Sequence, residues 1–223
     1  MLVILSASFF ILPWLGATVF MSPDETAVAV MGRHLARTGS LQINFDLLRD
    51  FPWLHPRSLV TQNSYLVPVG FLGMPMLAAG LWRLFGDFGL AWFTPLLALS
   101  VIFPLWSFSR AWGRWAQGAT ILGWLTFPTV ILYANRGLFP NLVVVCLAVW
   151  SAWTANNAKC KVQSAKLVLA GVLAGAALII RPTEFFWILQ LIVFAYVQNP
   201  QTDENRRPRS LKNIIWFVAP LIL

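Results

Sequence analysis

The chain begins MLVILSASFFILPWLGATVFM at residues 1–21 and continues SPDET at residues 22–26. The first stretch carries no charged side chain, and a helix needs roughly 20 apolar residues to cross a bilayer. Asp24 and Glu25 are therefore the first charges of the chain, just past a stretch of membrane-spanning length. Because the whole chain holds only 8 Asp and Glu residues, an acidic pair at this boundary predicts a catalytic carboxylate at the mouth of a transmembrane helix.

The overall composition is typical of an integral membrane protein. Charged residues make up 11% of the chain, against about 25% in an ordinary soluble domain, and the mean hydropathy is +0.70. A net charge of +8 would suggest nucleic acid in a soluble protein, but here contacts with anionic lipids and membrane topology explain it better. The sequence predicts an all-α fold, a polytopic transmembrane helical bundle of the plasma or inner membrane, with membrane lipids and no nucleic acid as partners.

The apolar segments define the expected domain. We expect residues 1–21 to be a retained first helix, since no basic residue precedes the apolar run; a signal peptide is the alternative. The later segments are Leu66–Phe85, Phe88–Ser109, Ala116–Ala134, Leu138–Ala155, Leu167–Ile180, Thr183–Gln198 and Ile214 onward. The last is too short to span, so we interpret residues 1–223 as a single transmembrane domain truncated at its C-terminus, with residues 22–65 as a long first external loop.

Loop charges predict which face is which. Nine Lys and Arg residues lie in three loops that share one face, which the positive-inside rule makes cytoplasmic: Arg110–Trp115, Asn156–Lys166 and Asn199–Asn213. The turns of the opposite, external face hold only Arg136 and Arg181. The loop of Asp24 shares that external face only if Leu66–Phe85 and Phe88–Ser109 together make one crossing. A re-entrant or interfacial path for the first of these would satisfy that condition.

The residues after the first apolar stretch also predict a helix. Ser22 and Glu25 have the spacing of a capping box, with Pro23 at the first helical position. Apolar residues then recur at helical spacing, at Val28, Met31 and Leu35. We therefore expect an amphipathic interfacial helix over Glu25–Thr38 that lies on the membrane surface. This pattern offers a purely structural explanation of the acidic pair, in which Glu25 caps the helix and Asp24 complements its dipole. The two roles are compatible.

Two polar insertions interrupt the later apolar sequence, at Asn135–Asn141 (NRGLFPN) and at Arg181–Glu184 (RPTE). A charge inside a membrane domain is costly and indicates a functional site by default. The alternative is that each insertion is a turn at the interface, with Arg181 paired only to Glu184. The two His and two Cys residues match no metal or redox spacing.

A series of short motifs follows in a characteristic order. They are Pro23-Asp24-Glu25, Arg33–Gly39 (RHLARTG), Arg83–Gly86 (RLFG), Arg110–Arg114, Tyr133–Asn141, and Ala170–Gly175 (AGVLAG) leading to Arg181-Pro182. This order resembles the N-terminal half of the glycosyltransferase C superfamily, the polyprenyl-phosphate-sugar-dependent transferases that include protein mannosyltransferases and aminoarabinose transferases.

The resemblance implies an inverting glycosyltransferase whose active site faces outside. It makes Asp24, with Glu25 beside it, the catalytic carboxylate that activates a glycan, lipid or protein acceptor, and it makes a polyprenyl-phosphate-linked sugar the donor. Arg136 and Arg181 would bind the donor phosphate. Some relatives carry an acidic residue in the later external loop, where this chain offers Asn135 and Asn141. That departure leaves the cofactor unknown, with a divalent metal ion held by Asp24 as the candidate.

Two other classes of function fit the same residues. In a transporter or channel subunit, the intramembrane charges would line a pathway. In a non-catalytic truncated scaffold they would be structural. The long loop at residues 22–65 and the lack of evident inverted repeats favour the enzyme. The sugar and the acceptor stay open.

Overall fold

A computed structural model describes Phe20 and residues 22–55, 57–157 and 163–190, and these are mostly helical. The α-helices are α1 (Pro23–Thr38), α2 (Leu47–Asp50), α3 (Gly73–Ser100), α4 (Ile102–Ser109), α5 (Arg114–Thr126), α6 (Pro128–Ala134), α7 (Pro140–Asn156) and α8 (Gln163–Ile180). Two 3-10 turns, Arg110–Trp112 and Pro182–Glu184, follow α4 and α8, and residues 185–190 are helical. The strands are β1 (Ile43–Asn44), β2 (Leu59–Gln62) and β3 (Tyr65–Pro68). The expected first helix and the loop Asn199–Asn213 lie outside the described residues.

Helix α1 begins as the sequence predicts. Ser22 is its N-cap, and the Ser22 hydroxyl accepts a hydrogen bond from the Glu25 backbone N–H at 3.2 Å. Pro23 stands in the first turn, and Gly39 ends the helix in the left-handed conformation, with φ 73°. This confirms the predicted helix and the Ser22 half of the capping box.

The first loop also contains a small sheet, so the described fold is mostly helical, as predicted, but not all-α. The strands pair antiparallel in the order β1-β3-β2, and a tight turn with positive φ at Asn63 and Ser64 joins β2 to β3. Such a turn matches the twist of a hairpin. The predicted apolar segment Leu66–Phe85 therefore starts in strand β3. Burial alternates along this strand, with Tyr65 exposed and Leu66 buried beneath the sheet.

The sheet covers one face of α1, which changes the role predicted for that helix. Met31 is 0% exposed and packs with Leu48, Leu59 and Leu66. Ala29, on another face of α1, packs against α3. The expectation that the stripe through Met31 lies on the bilayer is therefore wrong, since protein covers Met31 on the sheet side. The helical spacing of apolar residues predicts an apolar face, but it does not show whether that face packs on protein or on lipid.

A sharp turn at Gly86 divides α3 into residues 73–85 and 87–100. Gly86 has φ 62° and ψ −149°, which is not helical. A Cβ placed on Gly89 would lie 2.8 Å from the Leu81 carbonyl oxygen, whereas residues eight apart in a straight helix are separated by roughly 12 Å. The chain thus folds back on itself here. The first half of α3 runs beside α1, where Arg83 Nε donates to the Ala36 carbonyl at 2.9 Å.

Helices α7 and α8 form an antiparallel hairpin that packs on α3. Small residues of α8 let the backbones approach closely, and they are Ala170, Ala174 and Ala177. The Ser151 hydroxyl donates to the Ala170 carbonyl at 2.8 Å. Among the described residues, one helical run, Gly73–Trp112, is long and apolar enough to cross a membrane, while Pro140–Asn156 and Ala165–Ile180 are shorter apolar helices.

Candidate active site

A cleft of about 390 Å³ lies where the starts of α1, α3 and α7 meet the end of α8. Its polar wall comes from distant parts of the chain and consists of Asp24, Glu25, Ser58, Asn141 and Arg181. Its apolar wall includes Phe71, Met74, Pro75, Leu138, Phe139 and Ile180. The cleft therefore combines a charged end with a surface that suits an apolar chain.

Asp24 stands in the first turn of α1 and lines the cleft. Its carboxylate accepts a hydrogen bond from the hydroxyl of Ser58, the residue just before β2. The helix N-terminus stabilises the negative charge of a first-turn carboxylate. Asp24 is thus a partly accessible ionisable group. The hydroxyl of Ser58, just before β2, holds its carboxylate in position.

Glu25 differs sharply from its neighbour, since it is only 1% exposed. Its carboxylate lies 4.0 Å from Nε of Arg136. The Arg136 guanidinium also lies over the Phe139 ring, 5.6 Å from the ring centroid, which is within reach of a cation–π contact. Arg136 does not line the cleft. Arg136 is therefore placed to compensate the buried charge of Glu25 and not to contact a ligand in the cleft.

The turn that carries Arg136 is fixed to α3. Leu138 has a positive φ of 61°, an uncommon conformation for a residue with a side chain. Its backbone N–H donates to the buried Thr94 hydroxyl at 3.1 Å. This bond holds the 135–139 turn against the returning half of α3, and it fixes where α7 begins. Asn135 ends α6 and, like Arg136, lies outside the cleft lining.

Arg181 lines the cleft and belongs to a polar network. It donates to the Asn141 side-chain oxygen, and its Nε lies 3.2 Å from a Glu184 carboxylate oxygen and 3.3 Å from the Thr183 hydroxyl. The pairing with Glu184 predicted from the sequence is present, yet Arg181 also reaches α7. The structure brings Asp24, Glu25, Asn141 and Arg181 together and leaves Asn135 and Arg136 behind the cleft wall.

The polar wall does not form a metal centre by itself. No three of His, Cys, Asp and Glu come together within the described ranges. Besides the two carboxylates, the side-chain oxygen of Asn141 could ligate a metal, but it already accepts a hydrogen bond from Arg181. We therefore derive no chemical step through a metal ion from these residues. What they supply is a carboxylate, Asp24, and a cation, Arg181, in one cleft.

Ser58 and the apolar wall are the parts of the cleft that sequence reasoning missed. Ser58 lies in a polar loop and carries no motif; only the pairing of β2 with β3 brings it to Asp24. Phe139 and Leu138 were visible within the 135–141 insertion, but their role as wall residues depends on the tertiary fold. No family model, curated protein or solved structure matches the chain. A function for the chain therefore has to be argued from the site and from the short sequence motifs.

Proposed function

We propose that this chain is a membrane glycosyltransferase of the polyprenyl-phosphate-dependent kind, which transfers a sugar to an acceptor hydroxyl at the external membrane face. One observation carries the proposal. A first-turn carboxylate, Asp24, and a guanidinium, Arg181, share a cleft with an apolar wall. A lipid-linked sugar phosphate presents the complementary groups, namely an anion, a hydroxyl-rich ring and an apolar chain.

The reaction follows from these two groups. Asp24 takes the proton of the acceptor hydroxyl as its oxygen attacks C1 of the sugar, and general base catalysis of this kind contributes about 10²–10⁴-fold. The bond between C1 and the phosphate oxygen breaks, and polyprenyl phosphate departs with the electron pair. Arg181 stabilises the charge that develops on this leaving group. A single displacement inverts the configuration at C1.

The location of the cleft fits a donor that stays anchored in lipid. The apolar wall formed by Phe71, Met74 and Ile180 continues from the polar wall, so an isoprenoid chain can leave the cleft along it. Water reaches Asp24 because this side chain is not buried. A hydrophilic acceptor and a lipid donor can therefore meet at one carboxylate.

The turn at Gly86 supports a polytopic membrane arrangement. It makes residues 73–85 too short to cross a bilayer, at roughly 20 Å, and returns the chain at the same end. Exposed apolar side chains follow the outer side of this segment and its turn, at Leu72, Met76, Leu84, Phe85 and Phe88. We propose that this segment, rather than α1, meets the membrane surface, and that Gly73–Trp112 contributes one crossing, which an external Asp24 loop requires.

The proposal is tested by donor turnover. The purified protein is reconstituted in vesicles with synthetic polyprenyl-phosphate mannose, glucose or aminoarabinose and a membrane extract as the acceptor source, and released polyprenyl phosphate is measured by mass spectrometry. We expect turnover of at least one donor. Asp24→Asn should lower the rate about a thousandfold, since an amide is not a base. Glu25→Gln should lower it less, because Glu25 is buried against Arg136.

The matched variants separate the proposal from its alternatives. Equal rates for Asp24→Asn and the unchanged protein would show that the carboxylate only completes a helix terminus. Failure to consume any of the three donors, with a protein that unfolds cooperatively, would favour the transporter or scaffold.

A further inference from the structure

A second cavity, of about 480 Å³, lies at the far end of the bundle from the cleft. It is formed between the second half of α3, the C-terminal half of α7 and the start of α8. Its lining is mainly apolar and aromatic, with polar groups contributed by four residues, Ser100, Thr154, Asn157 and Lys166. It shares no residue with the cleft.

The aromatic side chains of this cavity are ordered by contacts with each other. Trp150 and Trp153 meet edge to face with centroids 5.4 Å apart, and both contact Phe103. The Trp150 indole N–H donates to the Ser100 hydroxyl at 2.9 Å. The Trp153 indole N–H is buried and has no hydrogen-bond partner in the described structure. The two indole rings therefore form a rigid aromatic wall.

Lys166 supplies a cation to the same cavity. Its ammonium group donates to the Asn157 carbonyl at 3.0 Å, which leaves two of its three N–H donors for other acceptors. The ion pairs found among the described residues involve Arg33, Arg136 and Arg181 and do not include Lys166. The positive charge at this cavity is thus not neutralised by a carboxylate of the described chain.

We infer that this cavity binds an anionic phospholipid, whose phosphate contacts Lys166 and whose acyl chain lies along the apolar lining. The charge of Lys166 selects an anionic headgroup over a zwitterionic one. Leu97, Leu147, Leu169 and Leu173 provide the surface for the acyl chain. Lys159 and Lys161 precede Lys166 in the sequence. The site is independent of the proposed sugar transfer.

The inference is tested by lipid retention. The whole protein is purified in detergent, mixed with equimolar dioleoyl phosphatidylglycerol and dioleoyl phosphatidylcholine, and examined by native mass spectrometry. The unchanged protein should retain phosphatidylglycerol preferentially. Lys166→Gln should weaken its apparent affinity about fivefold, the effect of one cation near a lipid phosphate. Lys166→Arg should preserve binding.

Two further variants control for general effects. Arg114→Gln removes a charge at the start of α5, outside the cavity lining, and should leave retention unchanged. Leu169→Trp fills the apolar part from an exposed position and should reduce retention of phosphatidylglycerol without altering folding. Equal retention of the two lipids by the unchanged protein, or full retention by Lys166→Gln or by Leu169→Trp, would overturn the inference.

Discussion

Arg136 and Arg181 enter the same end of the helical bundle from two turns, one between α6 and α7 and the other after α8. Arg136 faces the carboxylate of Glu25, which is 1% exposed. Arg181 lines the cleft, and its partners are Asn141, Thr183 and Glu184. Glu184 remains 26% exposed. One arginine therefore serves a buried charge, and the other serves an accessible one.

The two arginines differ in role because their partners differ in burial. A buried carboxylate needs a cation close by, because burying an isolated charge is costly. A partly exposed pair contributes less to stability, so its arginine can exchange partners when an anion enters. By this reasoning Arg136 is structural and Arg181 is available to a phosphate.

The largest effect that this comparison predicts is one of sidedness. In the proposed topology both turns and the loop of Asp24 face outside, so a cysteine at Asn63→Cys or Thr183→Cys should react with an impermeant maleimide on intact cells. The natural Cys160, in the basic loop after α7, should react only after permeabilisation, and the buried Cys146 should stay unreacted in the native protein. Reaction of Cys160 on intact cells would reverse the topology and break the comparison.

The next effect is on stability. Arg136→Ala removes the cation beside a buried carboxylate and should lower the free energy of unfolding by about 2 kcal/mol, or the Tm by about 4–8 °C. Arg181→Ala should cost less than about 1 kcal/mol, since its pair with Glu184 is partly exposed. Thermal unfolding of the two purified variants measures both. A larger loss for Arg181→Ala would show that the roles are exchanged.

A smaller effect concerns the turn at Gly86 that folds α3 back on itself. Gly86→Ala should cost about 1–2 kcal/mol, because φ 62° with ψ −149° is strained for any residue with a side chain. Gly80→Ala is the matched control: Gly80 is helical and its added Cβ meets nothing within 4 Å, so stability should hold or rise slightly. Equal changes for both variants would show that Gly86 does not determine the fold-back.

The sequence predicted elements better than it predicted their partners. Ser22, Pro23 and Gly39 mark the ends of α1 because capping is local chemistry, and the predicted helix is confirmed. The sheet was missed because its strands are short and because its packing against α1 joins residues far apart in the sequence. The one-crossing alternative for residues 66–109 was visible in the loop charges, but Gly86 could not be singled out among the glycines of that segment. Ser58 carries no local signal at all.

The most direct test of the account is whether Arg181, and not Arg136, receives a lipid phosphate. The measurement is the Kd of the purified protein for a short-chain polyprenyl phosphate, taken below the Tm of every variant. Arg181→Ala should raise the Kd about tenfold, the loss of one charge-assisted contact, while Arg136→Ala should leave it unchanged. An unchanged Kd for Arg181→Ala, or an equal rise for both variants, would contradict the account.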